Sequence, residues 1–164
     1  MDEAMSIAIR IGIAGVAAVG GSLFAFSTFV MPALKRLPYA EGIRAMQQIN
    51  LTVFTPWFMA PFFGTAILAL VGSAVALLNS DSPWSSMLLA SSTLYVAGVF
   101  IVTAFGNVPL NNQLASAEAD DQTSQELWRG YLITWTRLNH VRVASAFGAL
   151  LCLAESLHRM GGHG

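Results

Sequence analysis

Charge is what this sequence has least of. Lys and Arg number 8 and Asp and Glu 9 in 164 residues, 10% charged in all, where soluble domains carry about 25%. With a net charge of −1 and no basic run, the chain lacks the electrostatic footprint of a nucleic-acid binder, and that class of partner is excluded. Cysteine is almost as scarce. Cys152, alone in an apolar run, excludes an intrachain disulfide and any CxxC zinc or redox motif. No dinucleotide fingerprint, phosphate-binding loop, heme motif or flavin motif occurs, so no cofactor is expected. His158 and His163, on a Gly-rich end without a carboxylate beside them, make too weak a ligand set for a metal site.

Apolar residues fill the space that charge leaves, at 55% of the chain and a mean hydropathy of +0.60. They fall into four long runs, about residues 7–31, 54–78, 87–105 and 138–157, each near the ~20 residues that cross a bilayer as a helix. The expected fold is therefore all-α, a four-helix transmembrane bundle in one domain covering 1–164, with the lipid bilayer as its surroundings. The first run is too long for a signal-peptide core and reads as a span that stays.

Within the first run, Ala17, Gly21 and Ala25 repeat at every fourth position, a pattern that predicts an inward, close-packing face. Ser22, Ser27 and Thr28 are expected to bond carbonyls of their own helix. Pro32 is expected to end the span, and AEGIRAMQQIN (residues 40–50) spaces apolar residues as a short amphipathic helix, either a connector at the interface or a lid. Pro61 should loosen the second span and Trp57 anchor it at headgroup level. Residues 79–83 form a short turn between antiparallel neighbours, and the Tyr95 hydroxyl in the third span requires a partner. Gly106 is expected to break that helix. An exposed acidic loop follows, then a capping box at Thr123 and Glu126 that starts a long fourth helix near Ser124, outside the hydrocarbon. Ala144 and Gly148 form another small-residue pair. These faces would serve the bundle itself or a homo-oligomer.

Basic residues set the expected orientation. Lys35, Arg36, Arg44, Arg129, Arg137 and Arg142 fall on one side of the four spans, against Arg10 and Arg159 on the other. The excess of positive charge points the first and third loops to the cytoplasm and both termini outside it, as in a bacterial inner membrane.

The organising stretch is WRGYLITWTRLNHVR, Trp128 to Arg142. At roughly 100° per residue, Trp128, Tyr131, Trp135, Asn139 and Arg142 lie within about 80° of one another on a helix. Arg137 projects from the opposite side and His140 about a third of a turn away. Ala146 and Ala149 continue the stripe with small side chains. A guanidinium at membrane depth costs several kcal/mol unless paired or hydrated, and few acids are on hand. Amides are the available partners: Asn139, with Asn107 and Asn111 from GNVPLNNQLA. Two outcomes fit: a structural polar knot, or a pocket in which tryptophans wall a planar, oxygenated, hydrophobic small molecule and the amides and Arg142 bind its oxygen anion.

FGNVPLNNQLA, followed by W-x2-Y-x3-W-x3-N-x2-R from Trp128 to Arg142 and preceded by FAFSTFVMPAL around Phe24 to Leu34, resembles the anthrone-oxygenase-like family catalogued as domain of unknown function 1772. The resemblance covers nearly the whole chain. It implies an oxygenase that turns an anthrone into an anthraquinone with dioxygen and no evident metal or flavin. In that reading Asn139 and Arg142 hold the oxyanion, Trp128, Tyr131 and Trp135 stack on the rings, Asn107 and Asn111 complete the donor set, and His140 accepts the proton. The alternative from the residues alone is a non-enzymatic membrane protein that binds or moves a lipophilic molecule or scaffolds a partner.

Overall fold

The computed structural model describes residues 2–161, so His163 lies outside it. Among the described residues there are five long helical stretches and no strand: α1 (Glu3–Lys35), α2 (Tyr39–Thr52), α3 (Pro56–Leu78), α4 (Ser85–Ala115) and α5 (Gln122–Gly161). All but α2 are long and apolar enough to cross a membrane, and they make the chain an integral membrane protein. They pack in a ring, α1 against α3 and α5, α4 against α3 and α5. Short connections hold α3 beside α4 and α4 beside α5 as antiparallel neighbours, while α2 bridges α1 to α3.

Large apolar side chains such as Ile11, Phe29, Ile67 and Leu151 face outward, the inverse of a water-soluble surface. Trp57, 91% exposed at the start of α3, suits the headgroup level. The interior holds two apolar clusters. One fills the middle of the ring with Val16, Val19, Leu23, Phe62, Tyr95 and Val99. The other lies under α2 and gathers Met31, Ile43, Met46, Leu114 and the three aromatic rings of the α5 stripe. As its spacing predicts, α2 is amphipathic and turns Gly42, Ile43 and Met46 inward. Gln47 donates to the Leu114 and Ala117 carbonyls, and Arg44 pairs with Asp120, tying α2 to the far end of α4.

Four expectations need correction. Pro32 does not end α1. The turn before it, Phe26–Val30, is π-helical, with Met31 N donating to Phe26 O, and the helix resumes through Lys35; the wider turn absorbs a residue that has no N–H to give. Gly106 does not break α4, because it too sits in a π-helical turn, Thr103–Asn107, and the helix continues through Pro109 to Ala115. A Cβ at Gly106 would lie 2.9 Å from Leu138 Cδ1, so this glycine is a close-approach position. The start of α5 is Gln122, and its cap is Asp121, whose Oδ1 accepts from Thr123 N at 3.1 Å; a carboxylate two residues earlier outcompetes the Thr123 capping box.

The fourth correction concerns α1. Ala17 and Gly21 face outward, and the buried row is Gly12, Val16, Val19, Gly20 and Leu23. The close contact belongs to Gly20, where a Cβ would lie 3.1 Å from Ala146 Cβ. Ala144 is likewise exposed, whereas Ala146 and Ala149 are fully buried and admit the neighbouring helices, with Ser91 Oγ donating to Ala149 O at 2.9 Å. Pro61 is accommodated inside α3 without interrupting it.

Candidate functional site: a buried polar belt at Arg142

The α5 stripe is a continuous buried face. Trp128, Tyr131, Trp135, Asn139 and Arg142 are each no more than 5% exposed, because a regular helix of this length keeps the 100° projection that the sequence predicts. Around them α1, α4 and α5, with Asn50 of α2, bring a polar belt between the two apolar clusters.

Asn139 is its hub. The amide Nδ2 donates to Leu23 O and to Ser27 Oγ, both at 2.7 Å, and Oδ1 accepts from Arg142 Nη2 at 2.6 Å. Arg142 Nη1 donates to Thr103 Oγ1 at 3.2 Å, and the guanidinium carbon stands 5.0 Å from the centre of the Trp135 ring. Arg142 thus has a neutral amide, a hydroxyl and an aromatic face as partners, and no ion pair among the described residues. A cation over an indole face is stabilised by the ring quadrupole, most strongly when desolvated. Arg142 Nε remains without a protein partner.

Both expected asparagines of α4 join this belt. Asn107 Nδ2 donates to Trp135 O at 3.2 Å, and its Oδ1 is buried without a protein partner. Asn111 Oδ1 accepts from the Tyr131 hydroxyl at 2.8 Å and from Trp135 Nε1 at 2.9 Å. From α2, the buried Asn50 Nδ2 also lacks a protein partner. Donor and acceptor atoms left over in a buried cluster cost free energy and mark spare bonding capacity.

The rings close on one another. Trp128 and Tyr131 stack with centroids 5.5 Å apart and 15° between planes, Tyr131 and Trp135 at 6.3 Å and 26°, and Phe26 caps Trp135 at 5.6 Å. Over Trp128 sits Gly42 of α2, where a Cβ would come within 2.9 Å of the indole. The tryptophans therefore line no open slot; α2 lies across them.

His140 is exposed and off the stripe, as its helical angle predicts, yet it is wired to the belt: its Nδ1 lies 3.0 Å from Ser27 Oγ. Since Ser27 Oγ accepts from the Asn139 amide, its own hydrogen is free to face Nδ1 when the ring is neutral and protonated on Nε2.

Ser27 and Thr103 are the two belt hydroxyls that sequence reasoning missed, beside the Asn50 amide of α2. Ser22 and Thr28 do bond carbonyls of their own helix, at 2.9 and 2.8 Å, as expected of all three α1 hydroxyls; Ser27 turns inward instead. Both missed hydroxyls sit in the π-helical turns, and such turns favour functional positions in general. Tyr95 behaves as a structural group, its hydroxyl donating to Phe62 O of α3 at 3.0 Å.

Two cavities lie elsewhere. A small apolar one of about 70 Å³, lined by Val16, Thr65, Gly72, Ser92 and Tyr95, is between α1, α3 and α4 and touches no stripe residue. A wide groove of about 790 Å³ runs between the end of α1 and the outer face of α5, with His140 at its edge. Among the described residues, no three His, Cys, Asp or Glu side chains gather in one place.

Comparison with protein families matches residues 54–152 to the family described as Anthrone oxygenase. No curated protein and no solved structure matches this chain. The matched segment runs from the start of α3 past Arg142, and so takes in Asn107, Asn111 and the whole α5 stripe, as well as more than half of the sequence. The chain belongs to the anthrone oxygenase family.

Proposed function

We propose that this protein is a cofactor-independent oxygenase of the membrane, which converts a planar phenolic or anthrone-like substrate to the quinone with dioxygen. The observation that carries the reading is the buried Arg142 guanidinium, held by Asn139, Thr103 and the Trp135 face with no carboxylate on it and with Nε unengaged. An anthrone bears a CH2 group flanked by two rings and opposite a carbonyl. Loss of one proton from it gives an electron-rich anion with the charge on oxygen. A preorganised cation and amide at that oxygen lower the cost of forming it.

The anion gives an electron to dioxygen, and the resulting pair joins at carbon as a peroxide. The peroxide anion takes up one proton, in place of the one lost at the start, and loss of water from it leaves the second carbonyl, so one oxygen atom enters the product and the other departs as water. In this scheme Asn139 and Arg142 hold the oxyanion, Asn107 and Asn111 orient it, and Trp128, Tyr131 and Trp135 receive the rings. The proton passes through Ser27 to His140, whose exposed ring returns it to water. Entry requires α2 to lift from Trp128, breaking the Arg44–Asp120 pair and the Gln47 bonds. The basic loops face the cytoplasm, both termini lie outside it, and the setting is a bacterial inner membrane.

A second reading is favoured by the closed stacking of the three rings: a non-enzymatic membrane protein whose polar belt ties α5 to α1 and α4, and which binds or moves a lipophilic molecule or scaffolds a partner. Oxygen uptake with quinone absorbance, in membranes supplied with a simple anthrone, separates the two. The enzyme reading expects turnover above the spontaneous rate that Asn139→Ala and Arg142→Ala abolish at matched folded yield. Equal rates with and without the protein refute it for that substrate.

A further inference from the structure

The groove beside α5 meets the polar belt only at His140 and carries chemistry of its own. Lys35 and Arg36 stand on one wall, at the end of α1, and Arg129 and Arg137 on the other. All four are exposed, none makes an ion pair among the described residues, and no acidic residue lines the groove. Like charges gathered without a counter-charge repel one another, and an anion bound between them relieves that cost. Arg129 and Arg137 are eight residues apart, about 12 Å along the helix, so the positive wall is longer than one small anion.

The rest of the lining is mostly apolar, Met31, Pro32, Leu132 and Ile133, with Thr136 and His140 as its polar members. Met31 forms part of the floor, and Ile133, 55% exposed, carries the apolar surface outward between the two arginines. No Phe, Tyr or Trp lines the groove. At about 790 Å³ it is far larger than an inorganic anion needs. Its cations sit where α1 leaves its span, at the depth of lipid headgroups, and basic recesses between membrane helices at that depth suit phospholipid phosphates.

We propose that this groove is a binding site for an anionic phospholipid, with the phosphate held among Lys35, Arg36, Arg129 and Arg137 and an acyl chain lying along Met31 and Ile133. The site stands independently of the oxygenase reading, since none of these six residues belongs to the polar belt.

The test is lipid binding by the full chain in detergent, read by native mass spectrometry and by thermal unfolding, with phosphatidylglycerol, phosphatidylcholine and inorganic phosphate as probes. Phosphatidylglycerol should bind at least 10-fold more tightly than phosphatidylcholine and raise the unfolding temperature. At about 5-fold per cation near a charged headgroup, the double variant Arg129→Gln/Arg137→Gln should weaken that binding about 30-fold, whereas Arg10→Gln, at the opposite end of the bundle, should leave it unchanged. Equal binding of the two lipids overturns the proposal. So does a double variant that folds and binds within 3-fold of the parent, or inorganic phosphate at millimolar concentration displacing the lipid, which would make the groove a free-anion site.

Discussion

Replacing Asn139 by alanine tests the central claim about the polar belt, that the amide's chief task is to satisfy Arg142. The substitution deletes two donor bonds, to Leu23 O and Ser27 Oγ, and one acceptor bond from Arg142 Nη2. Interhelical hydrogen bonds in membrane proteins average about 0.6 kcal/mol, so the two donor bonds account for about 1 kcal/mol. The third is different in kind. Arg142 already has one nitrogen, Nε, without a protein partner, and losing Asn139 leaves Nη2 without one as well in a buried position. An orphaned buried donor costs about 1–3 kcal/mol, and more when charged, which brings the expected loss to about 2–4 kcal/mol. If the guanidinium is the source of that excess, removing it first should remove the penalty. In an Arg142→Met background, Asn139→Ala should cost only about 1 kcal/mol, the two donor bonds alone. The assay is a double-mutant cycle on reversible unfolding in mixed micelles, with an expected coupling of about 1–3 kcal/mol. Additivity of the two substitutions within about 0.5 kcal/mol would refute the reasoning, since it would mean that the amide and the guanidinium are stabilised separately.

Three further outcomes are expected. Gly42→Val puts two methyl groups against the Trp128 indole, which a Cβ alone would already approach to 2.9 Å; α2 should detach, seen as faster amide exchange over residues 39–52 with α3 to α5 unchanged. Gly98→Leu drives a side chain into Ser145 of α5, while Gly21→Leu meets nothing; overpacking costs about 1–3 kcal/mol, so the first should unfold at a lower temperature than the second by a margin that thermal melts resolve. Asp121→Ala removes the cap of α5, worth about 1 kcal/mol, and should speed amide exchange in the first turn after Gln122 without moving the rest of the helix.

The parts of the fold that follow from one helix at a time were legible in the sequence. The α5 stripe is the plainest case: five residues spaced at helical intervals all came out buried, and Arg137 and His140 came out exposed, because a regular helix converts spacing directly into direction. What two helices do together was not legible. Ala17, Gly21 and Ala25 have the spacing for close contact, but Gly12 and Gly20 lie in an adjoining row that packs instead, Gly20 against Ala146 of α5, and nothing in α1 alone says which row meets α5. Ser27 was passed over because a hydroxyl in a helix has a bond available one turn back, as Ser22 and Thr28 illustrate; Thr103 makes that bond, to Val99 O at 2.6 Å, and still accepts from Arg142. The π-helical turns could not be read at all. They have no residue signature, and Pro32 and Gly106, residues that ordinarily stop a helix, are carried through by them.

Those turns and the belt belong together. Met31 N donating to Phe26 O is one residue longer than an α-helical bond, and each such turn shifts the side chains beyond it by close to one position around the helix axis. Ser27 and Asn107 lie inside the shifted segments, and both face α5, one toward Asn139 and the other toward the Trp135 carbonyl. An uninterrupted α-helix would carry one register along its whole length, so the face that packs the lower core with Val16 and Leu23 would also have to present the polar groups above it. A register change lets one helix do both. The groups so presented are all neutral. A carboxylate in their place would pair with Arg142 and consume its charge, whereas amides and hydroxyls fix its position and leave the charge uncompensated. A buried cation held by neutral groups has its electrostatic attraction still to spend on an anion that forms beside it, which is the property that anthrone oxidation through an oxyanion requires.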